Sequence, residues 1–76
     1  TRIGEFMKTQ QQTLAARIKI SRIDNELSQQ DLADLAGVDR KTINRIENGH
    51  FSPSMDTYLR ICKSLGVKPS QLLDRI

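Results

Sequence analysis

Residues 29–48, QQDLADLAGVDRKTINRIEN, decide how this chain is read. Ser28 stands immediately before them and Asp31 lies three residues further on. At that spacing a hydroxyl and a carboxylate cap the start of a helix reciprocally. Leu32, Ala33, Leu35 and Ala36 then supply an apolar face at helical spacing. Gly37 follows, where a helix closes in a left-handed conformation that only glycine adopts without steric cost. Val38 plugs the corner, and Asp39 is placed to cap a second helix whose inward residues are Ile43 and Ile46. Arg40, Lys41, Asn44 and Arg45 point outward from it. Two short helices thus meet at a tight turn, and the second carries long cations and an amide on one side. The major groove of a DNA duplex accepts a rigid helix so equipped.

The flanks extend the helical pattern. From about residue 9 to residue 25, Leu14, Ala15, Ile18, Arg22 and Ile23 recur at three-to-four spacing, with Lys8, Arg17 and Lys19 on the solvated side. Asp24, Asn25 and Glu26 end this first helix, and Leu27 is placed to staple onto Leu32. Downstream, Asn48-Gly49 is a strong turn dipeptide closing a third helix over Arg40–Glu47. After a short loop, Ser54 can cap a fourth helix, Met55–Leu65. Its inner residues are expected to be Met55, Tyr58 or Leu59, Cys62 and Leu65. Gly66 ends that helix, Val67 packs the corner, and Pro69 suits the first turn of a last short helix. Leu72, Leu73 and Ile76 give that helix its apolar side. No segment alternates with period two over a strand's length. The expectation is an all-α domain of five helices.

Composition narrows the possible functions. Seventy-six residues make one small domain, and 28% charged with 37% hydrophobic residues is a folding composition. Phe6, Phe51 and Tyr58 are too few for the stacking platforms that grip single strands. A formal charge of +3 and a pI of about 9.4 suit a polyanionic partner without proving one. The lone Cys62 excludes an intrachain disulfide, and its spacing with Leu59 and Leu65 reads as a core thiol. No apolar run is long enough to span a bilayer and no signal peptide is visible, so a cytoplasmic location is expected. His50 and the distant Cys62 make no metal site, and no cofactor is expected. Without a phosphate loop, a carboxylate pair in an apolar cleft or a nucleophile–base spacing, an enzyme is not expected either. Residues 1–6, TRIGEF, fit nothing that follows and read as an expression remnant ahead of Met7. The domain is then residues 7–76, and its net charge is unchanged without Arg2 and Glu5.

Three longer stretches carry a family likeness: LSQQDLADLAGVDRKTINRIENG, then SPSMDTYLRICKSLGV, then the closing QLLDRI. Together they resemble the Cro/repressor-type, or XRE-like, helix-turn-helix DNA-binding domain over essentially residues 14–76. The resemblance implies a compact five-helix, lambda-repressor-like domain. It implies that Arg40, Lys41 and Arg45 face base edges, which favours guanine-containing sites, and that Asn44 reaches adenine or a phosphate. Gln29 would bind a phosphate through its side chain or backbone N–H, as helix starts favour anions. Thr42 would pack or touch a phosphate, and Asn48, Gly49 and Ser52 would contact phosphate beyond the helix. Arg22 and Glu47 occupy the places of a partly buried structural ion pair that sets the angle of the third helix.

Two departures stand out. Asp39 puts a carboxylate beside the expected DNA backbone, where many relatives have Ser or Thr, and the loop Phe51-Ser52-Pro53 lacks the cations some relatives use. The implied function is a sequence-specific, double-stranded-DNA-binding transcriptional regulator, a repressor or autoregulator. It would act as a homodimer on an inverted-repeat operator. Leu72, Leu73 and Ile76 would form the dimer seam, or close the monomer core, or both. Two alternatives remain open: an antitoxin or bridging protein whose main partner is another protein, and the DNA-binding part of a longer regulator.

Overall fold

The Ser28 and Gly37 caps expected at the centre of the chain are present and bound the helix between them. The computed structural model describes the backbone of residues 2–72 and the side chains of residues 13–72. Five helices follow in order: α1 (Arg2–Asp24), α2 (Gln29–Ala36), α3 (Arg40–Glu47), α4 (Met55–Leu65) and α5 (Pro69–Leu72). The first begins earlier than the sequence suggested, its helical backbone running back through residues 2–6. Leu73 and Ile76, the outer part of the expected seam, lie outside the described residues, as does the side chain of Lys8.

Each of α1 to α4 ends in the same way. A residue in left-handed backbone reverses the chain, and the next N–H reaches back to the carbonyl five residues before it. At α2 that residue is Gly37 (φ 71°), and the Val38 N–H donates to the Ala33 carbonyl at 2.9 Å. At α1 the position is held by Glu26 (φ 57°), with the Leu27 N–H donating to the Arg22 carbonyl at 3.1 Å. Left-handed backbone costs a side-chain-bearing residue about 1–2 kcal/mol, so α1 closes under strain that Gly37 avoids.

These closures bring α2 against α3 and α4, α1 against α3, and α5 against α4 and α1. The core they enclose contains Ile18, Leu32, Ala33, Ala36, Ile43, Ile46, Tyr58, Ile61, Cys62, Leu65 and Leu72. Leu14, Leu27, Val38 and Val67 pack on its border. Burial raises the Cys62 thiol above its ordinary pKa, in keeping with a core role. Burial also raises that of the Tyr58 hydroxyl, which donates to the Pro69 carbonyl and so ties α4 to α5.

Several residues expected inward are not. Leu35 and Met55 are 61% and 69% exposed, and Ile23 and Leu59 also face solvent, whereas Ile61 is fully buried. The reason is angular. At about 100° per residue, Leu35 sits roughly 60° outside the Leu32–Ala36–Ala33 arc, and Ile23 lies beyond the Ile18–Arg22 stripe of α1. On α4 the buried stripe is centred on Tyr58, Leu65 and Ile61, leaving Met55 and Leu59 on its flank. Of the three residues expected at a dimer seam, Leu72 is buried in the protomer's own core, which is the closing role open to it.

Candidate nucleic-acid interface

Helix α3 is placed by its inner side and presents what remains. Ile43 and Ile46 are buried in the core, and Glu47 is buried beside them. Arg22 of α1 grips Glu47 in a two-pronged pair. Its Nε donates to Oε2 at 2.7 Å and its Nη2 to Oε1 at 3.0 Å. Its remaining Nη1 donates to the Leu27 carbonyl at 2.8 Å. The Glu47 carboxylate holds the Arg22 guanidinium above its ordinary pKa, against the opposing effect of burial. The far end of α3 is thereby pinned to the end of α1.

With that side fixed, Arg40, Asn44, Asn48, Lys41 and Arg45 fall within an outer arc of about 140°. Arg40, Lys41 and Arg45 are exposed, and among the described residues none of them has an ion-pair partner. Thr42, half-buried, lies at the edge of the arc. The Arg45 guanidinium sits over the Phe51 ring, 5.5 Å from its centroid.

The charges in the first turn of α3 run against its dipole. A helix favours anions at its start and cations at its end, by about 0.3–1 kcal/mol each. Here Arg40 and Lys41 open the helix and no acidic residue lies in its first turn, while the last turn holds both Arg45, a favourable cation, and Glu47. The misplaced anion is compensated by Arg22. For the two cations the nearest compensation within the chain is Asp39, and it is incomplete. Asp39 occupies the cap position and its carbonyl accepts from the Thr42 and Ile43 N–H groups, but its side chain makes no cap hydrogen bond. The side-chain cap expected of Asp39 is thus absent.

Two further expectations are altered by internal bonding. Gln29 is expected to bind phosphate through its side chain or its backbone N–H, and the side chain is engaged within the protein. Its Nε2 donates to Glu47 Oε1 at 3.2 Å and its Oε1 accepts from Asn44 Nδ2 at 3.3 Å. Asn48 Nδ2 in turn donates to Asn44 Oδ1 at 3.1 Å. A polar chain therefore runs from the buried ion pair through Gln29 and Asn44 to Asn48 at the surface. Each amide has further valence: Asn44 retains one N–H and one lone pair. The Gly49 N–H, also expected to meet phosphate, donates to the Ile46 carbonyl at 3.0 Å because Gly49 closes α3 in left-handed backbone (φ 75°). Asn48 and Ser52 are exposed beyond the helix. Sequence reasoning did not assign Phe51 a role. Its position six residues after Arg45, just past a helix-closing glycine, was the available signal.

Among the described residues no group of His, Cys, Asp and Glu could hold a metal ion, and no helix is long and apolar enough to cross a membrane.

The comparisons with known proteins agree with this geometry. Residues 18–72 match the HTH_3 helix-turn-helix family. An uncharacterized HTH-type transcriptional regulator of Methanocaldococcus jannaschii is 42% identical over 52 residues, 68% of this chain and 79% of that protein. The uncharacterized HTH-type transcriptional regulator YgzD of Bacillus subtilis is 42% identical over 41 residues, 54% of this chain and 62% of its own length. Among solved structures, the restriction-modification controller protein C.AhdI from Aeromonas hydrophila superposes with a TM-score of 0.81 at 28% identity, covering 83% of this chain and 96% of that one. A hypothetical transcription factor, NHTF, from Neisseria gives 0.81 at 26% identity, covering 86% of this chain and 75% of the other. The outward cations, the pinned third helix and these likenesses place the chain in the HTH_3 helix-turn-helix family of DNA-binding, non-enzymatic transcriptional regulators.

Proposed function

We propose that the protein is a sequence-specific regulator that lays α3 in the DNA major groove, with Arg40, Lys41 and Arg45 on base edges. The observation that carries this reading is the pair of exposed cations, Arg40 and Lys41, in the first turn of α3. Two cations at a helix start are unfavourable in the free protein, and a phosphate backbone supplies the missing negative charge. Asn44 joins the base-reading set through its remaining N–H and lone pair, a pairing suited to adenine. Phosphate contact falls to the backbone N–H groups at the start of α2 around Gln29, and to Thr42, Asn48 and Ser52. Asp39, with no cap bond to hold it, faces the same backbone and disfavours poorly aligned duplexes by repulsion.

A homodimer on an inverted repeat is the assembly this reading favours, because one short helix addresses only a few base pairs. Ile20, exposed on α1, borders a shallow groove with Val67 and Leu72, which supports a protein contact at that end of the molecule. Repression or autoregulation is the favoured outcome, since a bound dimer excludes other proteins from its site. A DNA target in turn favours a cytoplasmic location.

Selecting bound duplexes from a random pool tests the proposal directly, and the symmetry and spacing of the selected sites report the assembly. Arg45→Ala is expected to relax preference at one base position, costing about 1–3 kcal/mol there. Equal losses on selected and random DNA would remove Arg45 from the base-reading set.

A further inference from the structure

The loop after α3 is folded back on the helix, and it carries an aromatic ring to a defined place. The His50 N–H donates to the Arg45 carbonyl at 3.0 Å and the Gly49 N–H to the Ile46 carbonyl at 3.0 Å. With Gly49 in left-handed backbone, these two bonds reverse the chain and return residue 51 alongside the turn that bears Arg45. Phe51 remains 40% exposed, and the Arg45 guanidinium lies over its ring at 5.5 Å. Neither the core nor the polar chain from Glu47 to Asn48 uses Phe51.

We infer that Phe51 is a positioning residue that sets the base specificity of Arg45. The inference rests on the proposal that α3 reads DNA. An exposed arginine samples many rotamers, and each must be surrendered when it pairs with one base edge. Attraction to the face of the ring restricts that freedom beforehand and uses none of the five N–H donors of the guanidinium. Arg45 therefore meets the groove already aimed, its donors intact for the O6 and N7 acceptors of a guanine. Among the described residues, the two neighbouring cations, Arg40 and Lys41, have no such ring. Discrimination should accordingly be sharpest at the base pair Arg45 addresses.

The test uses the full chain and a duplex selected from the random pool, compared with the same duplex changed at the one position sensitive to Arg45→Ala. Phe51→Leu removes the aromatic face and keeps apolar bulk, and it should lower the preference at that position about two- to tenfold. Phe51→Tyr, which keeps the face, should retain it. In an Arg45→Ala background Phe51→Leu should have no further effect on the preference. In the free protein, the ring-current shifts of the Arg45 side-chain protons in nuclear magnetic resonance should vanish in Phe51→Leu and persist in Phe51→Tyr. The inference is overturned if Phe51→Leu keeps the full preference, if it causes an equal loss without Arg45, or if the Arg45 shifts ignore the ring. A wild-type chain that selects no duplex defeats the proposed function and this inference with it. A wild type that discriminates normally beside an unaffected Phe51→Leu defeats this inference alone.

Discussion

Helices α2 and α3 are the same length, eight residues each, and each starts after an extended residue with a side-chain oxygen and is followed by a left-handed glycine. Their first turns nevertheless differ. Ser28 accepts from the Asp31 N–H at 2.9 Å while Asp31 accepts from the Ser28 N–H at 2.9 Å, and an acidic residue sits where the α2 dipole favours it. In α3 the cap side chain is unengaged and the dipole meets two cations. Both helices bury an inner side, α2 through Leu32, Ala33 and Ala36 and α3 through Ile43 and Ile46. Only α2 has a side-chain cap at its start, whereas α3 is held at its far end by Arg22. A helix held from behind can keep a poor electrostatic arrangement at its front, and that front is what a polyanion would correct.

The anchor behind α3 should give the largest effect. Glu47→Ala leaves Arg22 buried without its partner and is expected to cost roughly 3–5 kcal/mol in urea denaturation. A cost near that of an ordinary surface substitution would mean that α3 supports itself. Next comes the contrast of caps. Ser28→Ala should cost about 1 kcal/mol and Asp39→Ala no more than about 0.5, both read from thermal unfolding. Equal losses would erase the distinction between the two starts. Smaller again, and of opposite sign, Lys41→Glu should stabilise the free protein by about 0.3–1 kcal/mol while weakening its hold on DNA. A variant losing both stability and binding would contradict the charge argument.

The finest test is with acid. Hydrogen bonds from the Ser28 backbone N–H, and then with its side chain, hold the Asp31 carboxyl below its usual range. Its contribution is therefore present above the unfolded-state value, near 3.9, and is lost as pH falls through the lower folded value. Asp31→Asn should lower the melting temperature slightly at pH 7 and flatten its fall between about pH 4 and pH 2, so that variant and wild type converge in acid. An unchanged acid limb would mean that the box carries no linkage.

The residues that could be read from sequence alone and those that could not follow one division. The bounds of α2, α3 and α4 were legible because caps are local chemistry: Ser28, Gly37, Ser54 and Gly66 act on backbone within a turn of themselves. The outer side of α3 was legible for a related reason, since Ile43 and Ile46 fix by rotation where Arg40, Lys41 and Arg45 must point. Burial at the edge of a stripe was not. Leu35 and Ile61 are both aliphatic residues one position off a plausible stripe, and only the packing of α2 with α4 decides that one is exposed and the other enclosed. The amide chain was illegible too. Gln29, Asn44 and Asn48 can pair with almost any polar atom, and their partners lie up to 18 residues away in sequence. Asp39 failed in a third way: a residue type suited to capping need not cap when its carboxylate turns elsewhere.

The closure of α3 at Asn48-Gly49 also sets an information limit. Eight residues rise about 12 Å, and base pairs stack about 3.4 Å apart, so one copy can inspect about four steps of a duplex. Four steps hold at most about eight bits, an address that recurs by chance roughly every 256 positions, whereas genomes offer millions of competing positions. Doubling the address to about sixteen bits takes a second such rod rather than a longer one, because Gly49 stops this helix where it stands.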